Sequence, residues 1–202
     1  MYLLKSLKDK WIAIREIREW LSRRYESPSP SIIKRQVLKR IGVSDATWVE
    51  TGTFLGDTAN FLAKNSKIVY TIEPDASLFE MAMIRFKKNN SVIPIHGLSE
   101  DIFPELLPKL KGKINFWLDG HYSGGLTHKG PKDCPLKEEL LAIENNISNY
   151  DYVIILIDDV RCFNPSIKEF ADYPHLNYLV DWAKKNDLNW YIEHDIFIAS
   201  TK

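Results

Sequence analysis

Four apolar runs in this 202-residue chain each close on a carboxylate. Nothing else in the sequence limits the fold as much. Thr47-Trp48-Val49 ends in Glu50, the run 67–72 in Glu73, the run 114–118 in Asp119, and the run 152–157 in the pair Asp158-Asp159. A fifth run lies near 92–96. The stretches between carry apolar residues at helical spacing, as with Leu78, Met81, Ala82 and Phe86 in an expected helix over 76–88. Further helices are expected over 135–147 and, shorter, over 101–107. Strands that alternate with helices build a parallel sheet covered on its faces. Strands are therefore expected near 47–50, 67–73, 92–96, 114–119 and 152–158. Residues 189–200 read as two more runs about a tight polar turn, a closing hairpin. Ligands of such sheets gather outside the carboxyl ends of the strands, the edge where all these acids fall.

The first acid opens the segment Glu50-Thr51-Gly52-Thr53-Phe54-Leu55-Gly56-Asp57-Thr58. Two glycines four apart follow a strand and precede a helix start. Glycine suits a backbone that passes close to a ligand, because a side chain would block the approach. The helix that follows presents free N–H groups in its first turn. The spacing is E-x-G-x-x-x-G rather than the dinucleotide G-x-G-x-x-G. An ordinary strand-helix turn uses glycine too, so the weight rests on the acids downstream. Glu73 stands about 20 residues beyond the loop, the offset at which an acid binds ribose hydroxyls in a Rossmann-like sheet. A carboxylate accepts both hydrogen bonds of a diol. A solvated turn acid is the competing reading.

Asp119, Asp158 and Asp159 sit at the exits of two strands expected to be neighbours. Three close carboxylates repel each other and are costly unless a cation neutralises them. An all-oxygen set suits Mg²⁺, Mn²⁺ or Ca²⁺ rather than zinc. Aspartates also cap helices and turns at strand exits, and that use stays open. The polar, glycine-rich loop after Asp119 has the length of an active-site loop. His121 lies two residues past Asp119 and could take a proton from a bound hydroxyl, against a structural role or a place beside the metal ligands. Cys134 and Cys162 lack C-x-x-C spacing and are placed neither as nucleophile nor as zinc ligand.

The E-x-G-x-x-x-G loop with its downstream acids resembles class I S-adenosylmethionine (SAM) methyltransferases from about residue 40 onward. The acids at 119, 158 and 159 resemble those of the metal-dependent small-molecule O-methyltransferases, of the catechol and macrolide-sugar types. The resemblance implies a Rossmann-like sheet, mostly parallel, with a C-terminal antiparallel hairpin. It implies SAM as cofactor, held by Glu50, Gly52, Thr53, Gly56, Thr58, Glu73, Ser99 and Asp119. It further implies a divalent cation, Mg²⁺ or Mn²⁺, on Asp119, Asp158 and Asp159. Asp119 and His121 become the catalytic pair, and a sugar or other vicinal diol the small-molecule acceptor. Two positions depart from the pattern. Phe54 stands where glycine is common, and Tyr122 where the catechol type has a lysine base. A metal-free methyltransferase and a non-catalytic nucleotide-binding or scaffold protein of the same fold are the alternatives.

Net charge is zero, yet residues 1–40 hold 11 Lys and Arg against 4 Asp and Glu, and the remainder 16 against 23. Leu4, Leu7, Trp11, Ile14, Ile17 and Leu21 trace an amphipathic helix with a basic opposite face. Prolines 28 and 30 break it, and a second helix is expected over 31–40, capped by Ser29 or Ser31. Residues 1–40 thus read as a helical extension to a SAM-binding domain over 41–202. The extension would pack on the sheet or on a second copy, or touch an anionic acceptor or, peripherally, a membrane surface. No base-reading element argues for nucleic acid. No membrane-spanning run and no signal peptide are evident, so a cytoplasmic location is expected.

Overall fold

The structure, a computed structural model, describes residues 2–120 and 134–202. The strands are β1 (Thr47–Thr51), β2 (Ile68–Glu73), β3 (Val92–His96), β4 (Gly112–Leu118), β5 (Tyr150–Ile157), β6 (Asn189–Glu193) and β7 (Ile196–Ser200). They form one sheet in the order β3-β2-β1-β4-β5-β7-β6. The first five are parallel, β7 runs antiparallel to β5, and β6 antiparallel to β7. Every residue of β1 is buried, as the inner strands of a sheet covered on both faces require. His194 and Asp195 join β6 to β7 with φ of 48° and 69°, the two positive values that a two-residue hairpin of matching twist needs.

The helices are α1 (Tyr2–Ser22), α2 (Ser31–Ile41), α3 (Asp57–Leu62), α4 (Ala76–Phe86), α5 (Ser99–Leu106), α6 (Leu136–Glu144) and α7 (Leu176–Lys185). On one face Val37, Leu38, Leu62, Ala82 and Phe86 from α2, α3 and α4 pack against Trp48, Val69, Trp117, Leu156 and Ile198. On the other, Phe103, Leu140, Ile143, Leu179 and Trp182 from α5, α6 and α7 pack against Val49, Ile72, Phe116, Ile155 and Phe197. The expected strands and hairpin are all present. Asp75 ends the turn after β2 and caps α4, its Oδ1 accepting from the N–H groups of Ser77 and Leu78 at 2.9 Å each. α7 is an addition to the helices expected one by one.

The N-terminal segment is anchored to the β6–β7 hairpin. Neither serine caps α2; Pro30 holds the cap position without a side-chain bond. Ser29 Oγ instead donates to the His194 carbonyl at 2.9 Å, so the hydroxyl expected to start a helix ties the segment to the hairpin turn. Trp20 is buried and meets Tyr25 and His194 edge-on at 5.1 and 5.5 Å. Arg40 pairs with Glu193. Trp11 and Ile14 of α1 remain exposed. Among the described residues no helix is long and apolar enough to cross a membrane.

Candidate active site

Strand order reverses between β1 and β4, and in an open α/β sheet the crevice at that switch point is where ligands bind. The glycine loop leaves β1 there. Gly52 has φ of 84°, and a Cβ on it would stand 2.6 Å from the Asp119 carbonyl oxygen. Glycine is thus required so that the exits of β1 and β4 can close on one another; a ligand's approach is a second reason at most. Gly56 has φ of 76°, and a Cβ there would stand 2.8 Å from the Phe86 ring. Phe54 holds φ of 48°, the left-handed conformation that glycine adopts without penalty. The Glu73 carboxylate helps keep it there. Glu73 Oε2 accepts the Phe54 N–H at 2.8 Å, and Oε1 accepts the Asp75 N–H at 3.0 Å.

Behind the loop lies a buried polar chain. The Thr53 and Thr71 hydroxyls are 2.6 Å apart, and Thr71 Oγ1 donates to Glu50 Oε2 at 2.5 Å. Glu50 Oε1 is buried without a hydrogen-bond partner. Burial pushes this carboxyl up to about 8; the Thr71 bond opposes the rise, and the charges of Asp119 and Glu73 add to it.

A cavity of about 260 Å³ opens between the glycine loop, α2 and the exits of β4 and β5. Gly52, Thr53, Thr58, Asp119 and Asp158 line it, together with Lys34 and Arg35 of α2. Lys34 Nζ donates to Asp158 Oδ2 at 2.6 Å and to Asp159 Oδ1 at 2.9 Å. Burial works against the ammonium, but the fields of Asp158, Asp159 and Asp119 outweigh it and hold Lys34 above the ordinary lysine range. Burial likewise holds Asp158 above the usual carboxylate range, in spite of Lys34. Asp159 holds φ of 56° and lies behind Lys34 rather than lining the cavity. It accepts from Arg161 Nη1 at 2.5 Å, and Arg161 also pairs with Asp195 of the hairpin turn.

The structure therefore brings Gly52, Thr53, Thr58, Asp119 and Asp158 together around one space. Glu50, Gly56 and Glu73 do not line it; Glu73 holds the loop at Phe54 and Glu50 lies buried against Thr71. Ser99 is buried at the start of α5, beyond the exit of β3. His121 lies outside the described residues. The expected divalent cation does not fit the three aspartates as they stand. Asp158 and Asp159 are already bridged by Lys34, and Asp159 faces Arg161. Among the described residues no group of three His, Cys, Asp or Glu side chains is arranged to hold a metal ion. Both thiols are buried, which pushes Cys134 up to about 12 and Cys162 up to about 11, so neither is a thiolate at neutral pH.

Sequence reasoning missed Lys34, Arg35, Arg161 and Asp195. A signal for Lys34 was present. It stands three and four residues before the buried Val37 and Leu38, so it lies on the apolar stripe of α2 rather than on its solvated face.

No protein-family profile matches the chain, and no curated protein does. Solved structures do. The N-methyltransferase NodS from Bradyrhizobium japonicum superposes with a TM-score of 0.55 at 12% identity, over 83% of this chain and 93% of that one. A candidate caffeoyl-CoA O-methyltransferase from Staphylococcus aureus gives 0.51 at 16% identity, over 100% and 97%. A candidate methyltransferase from Streptococcus mutans, in complex with SAH, gives 0.51 at 14% identity, over 87% and 97%. This chain has the Rossmann-like fold of those methyltransferases.

Proposed function

We propose that this protein is a SAM-dependent methyltransferase acting on an oxygen of a small molecule, with a sugar or other vicinal diol as the acceptor class. The observation that carries the reading is the cavity at the switch point, with a glycine turn on one side and the carboxylates of Asp119 and Asp158 on the other. Its chemistry suits a cationic cofactor. SAM bears a sulfonium and an ammonium, and the lining's three aspartates, Asp57, Asp119 and Asp158, outnumber its two cations, Lys34 and Arg35. Gly52, Thr53 and Thr58 would hold the methionine half, Glu73 the ribose hydroxyls, and Ser99 the adenine. The SAH complex of the Streptococcus mutans neighbour supports the same direction.

SAM supplies a methyl group already activated by its positive sulfur. The chain's own residues then have to bind, align the acceptor and take up a proton, and alignment is a large part of such a rate gain. Asp119 is the carboxylate at the cavity that can receive a hydroxyl proton. His121, two residues past Asp119, is the other proton acceptor of this reading and the one the sequence favours. The exposed Trp11 and Ile14 of α1 support a homodimer as that helix's role, with a membrane surface as the alternative partner.

Calorimetry with SAM, SAH, NAD and ATP tests the assignment. Binding of SAM and SAH, with none of NAD or ATP, is the expected result. A protein that binds NAD or ATP and ignores SAM does not carry this function.

A further inference from the structure

We propose that Lys34 is the built-in cation of the acceptor site, taking the place that a divalent metal would occupy between Asp119, Asp158 and Asp159. This rests on the methyltransferase reading for its purpose and on the geometry alone for its substance.

Carboxylates gathered at two strand exits need positive charge, and a metal ion is one source of it. A lysine ammonium brought in by another element is a second. Here α2 crosses the exits of β4 and β5 on the face it covers with Val37 and Leu38. That packing places Lys34, one turn earlier on the same stripe, over the acids. Its Nζ lies 2.6 Å from Asp158 and 2.9 Å from Asp159, and Asp119 is the third carboxylate whose field it feels. These are the same three side chains whose pattern suggested a metal. Its side chain is 16% exposed, Asp158's 3% and Asp159's 10%, so the pair is shielded from screening ions. Arg161 binds the same Asp159 oxygen as Lys34 does, which removes that oxygen further from a metal's reach.

An ammonium has three donors. Two of Lys34's go to Asp158 and Asp159, and the side chain lines the cavity. The third suits an oxygen of the acceptor. Lys34 is on this account a binding residue of the acceptor site. It holds Asp158 in place and offers one donor where a metal would have offered open coordination sites. The site then differs from a metal centre in what it selects. It binds one oxygen of the diol through a directed hydrogen bond rather than chelating both.

The test titrates Mn²⁺ alone into the full-length protein, with bound metal read by electron paramagnetic resonance and calorimetry. The wild type should bind no Mn²⁺ in the micromolar range. Lys34→Ala should bind it at least tenfold more tightly than the wild type, Lys34→Arg should restore the wild-type behaviour, and Lys34→Ala combined with Asp158→Asn should lose the gain. Micromolar Mn²⁺ binding by the wild type overturns the proposal, as does a folded Lys34→Ala protein with no gain. Should Lys34→Ala not fold, Lys34→Met, which keeps the apolar stem and removes the charge, takes its place. SAM calorimetry on the same samples keeps the two readings apart. Wild-type protein that binds neither SAM nor Mn²⁺ has lost the functional reading and kept Lys34 as the cation.

Discussion

Glu50→Gln should make the protein more stable than the wild type at alkaline pH and leave it nearly unchanged at acid pH. Glu50 is 1% exposed on β1, one of its oxygens has no partner, and burial pushes the carboxyl up to about 8. In the unfolded chain a glutamate titrates near 4.3. The folded value is the higher one, so the stability that the protonated group contributes is complete below about pH 4. It is lost as pH rises through about 8. Within that window the folding equilibrium of the wild type weakens by up to a factor of ten per pH unit, relative to a variant that does not titrate. The whole displacement corresponds to roughly 5 kcal/mol as an upper bound, and interior polarisability lowers it to roughly 2–5 kcal/mol. Glutamine reproduces the protonated carboxyl in shape, and its amide oxygen can still accept from Thr71. The assay is urea denaturation of both proteins at pH 5, 6, 7 and 8, each compared at the same pH so that other titrating groups cancel. The stability difference should grow steadily in favour of the variant. Parallel pH curves would refute the reasoning, and so would a wild type that gains on the variant as pH rises.

Gly52→Ala combines a left-handed backbone with a Cβ 2.6 Å from the Asp119 carbonyl, and it should cost at least about 2 kcal/mol in a denaturation experiment. An unperturbed melting curve would mean that the β1 and β4 exits separate easily. Glu73→Ala should weaken calorimetric SAM binding by about 1–3 kcal/mol; equal affinities would remove Glu73 from the cofactor site. Deleting residues 1–22 should leave SAM affinity intact and lower the mass in solution if α1 joins two copies. Deleting 1–41 should instead unfold the protein, since it strips Val37 and Leu38 from the core.

The sheet was legible because its signals are local. Each β-branched run ends at a polar residue in the strand or one position past it, and the terminal hairpin is set by the adjacent residues His194 and Asp195. The strands were accordingly placed within a few residues. Helix ends were less legible, because they depend on what the last turn packs against. α4 stops at Phe86 and α6 at Glu144, short of the residues that helical spacing alone would include. Phe54 shows a local signal misread by residue type. The position is glycine-like in conformation, and a hydrogen bond to Glu73 sustains it in a residue that ordinarily avoids it.

The acids at the carboxyl edge were legible as a group, since strand ends in a parallel sheet converge by topology. What neutralises them was not legible, because for Asp158 it comes from 124 residues away. A carboxylate cluster read from sequence has an unspecified counter-charge, and a metal is the default only when no cation can be placed nearby. Lys34 becomes placeable once α2 is known to cover β4 and β5 rather than extend into solvent, and that depends on Val37 and Leu38 being buried. The excess of basic residues in 1–40 is therefore of two kinds. Most of it is solvated, while Lys34 lies on the buried side of α2 and joins the site. A basic helix beside an acidic cluster is worth inspecting for a cation on its apolar stripe. Such a residue carries its cost of burial only if opposite charge awaits it, and here Asp158 and Asp159 supply that charge.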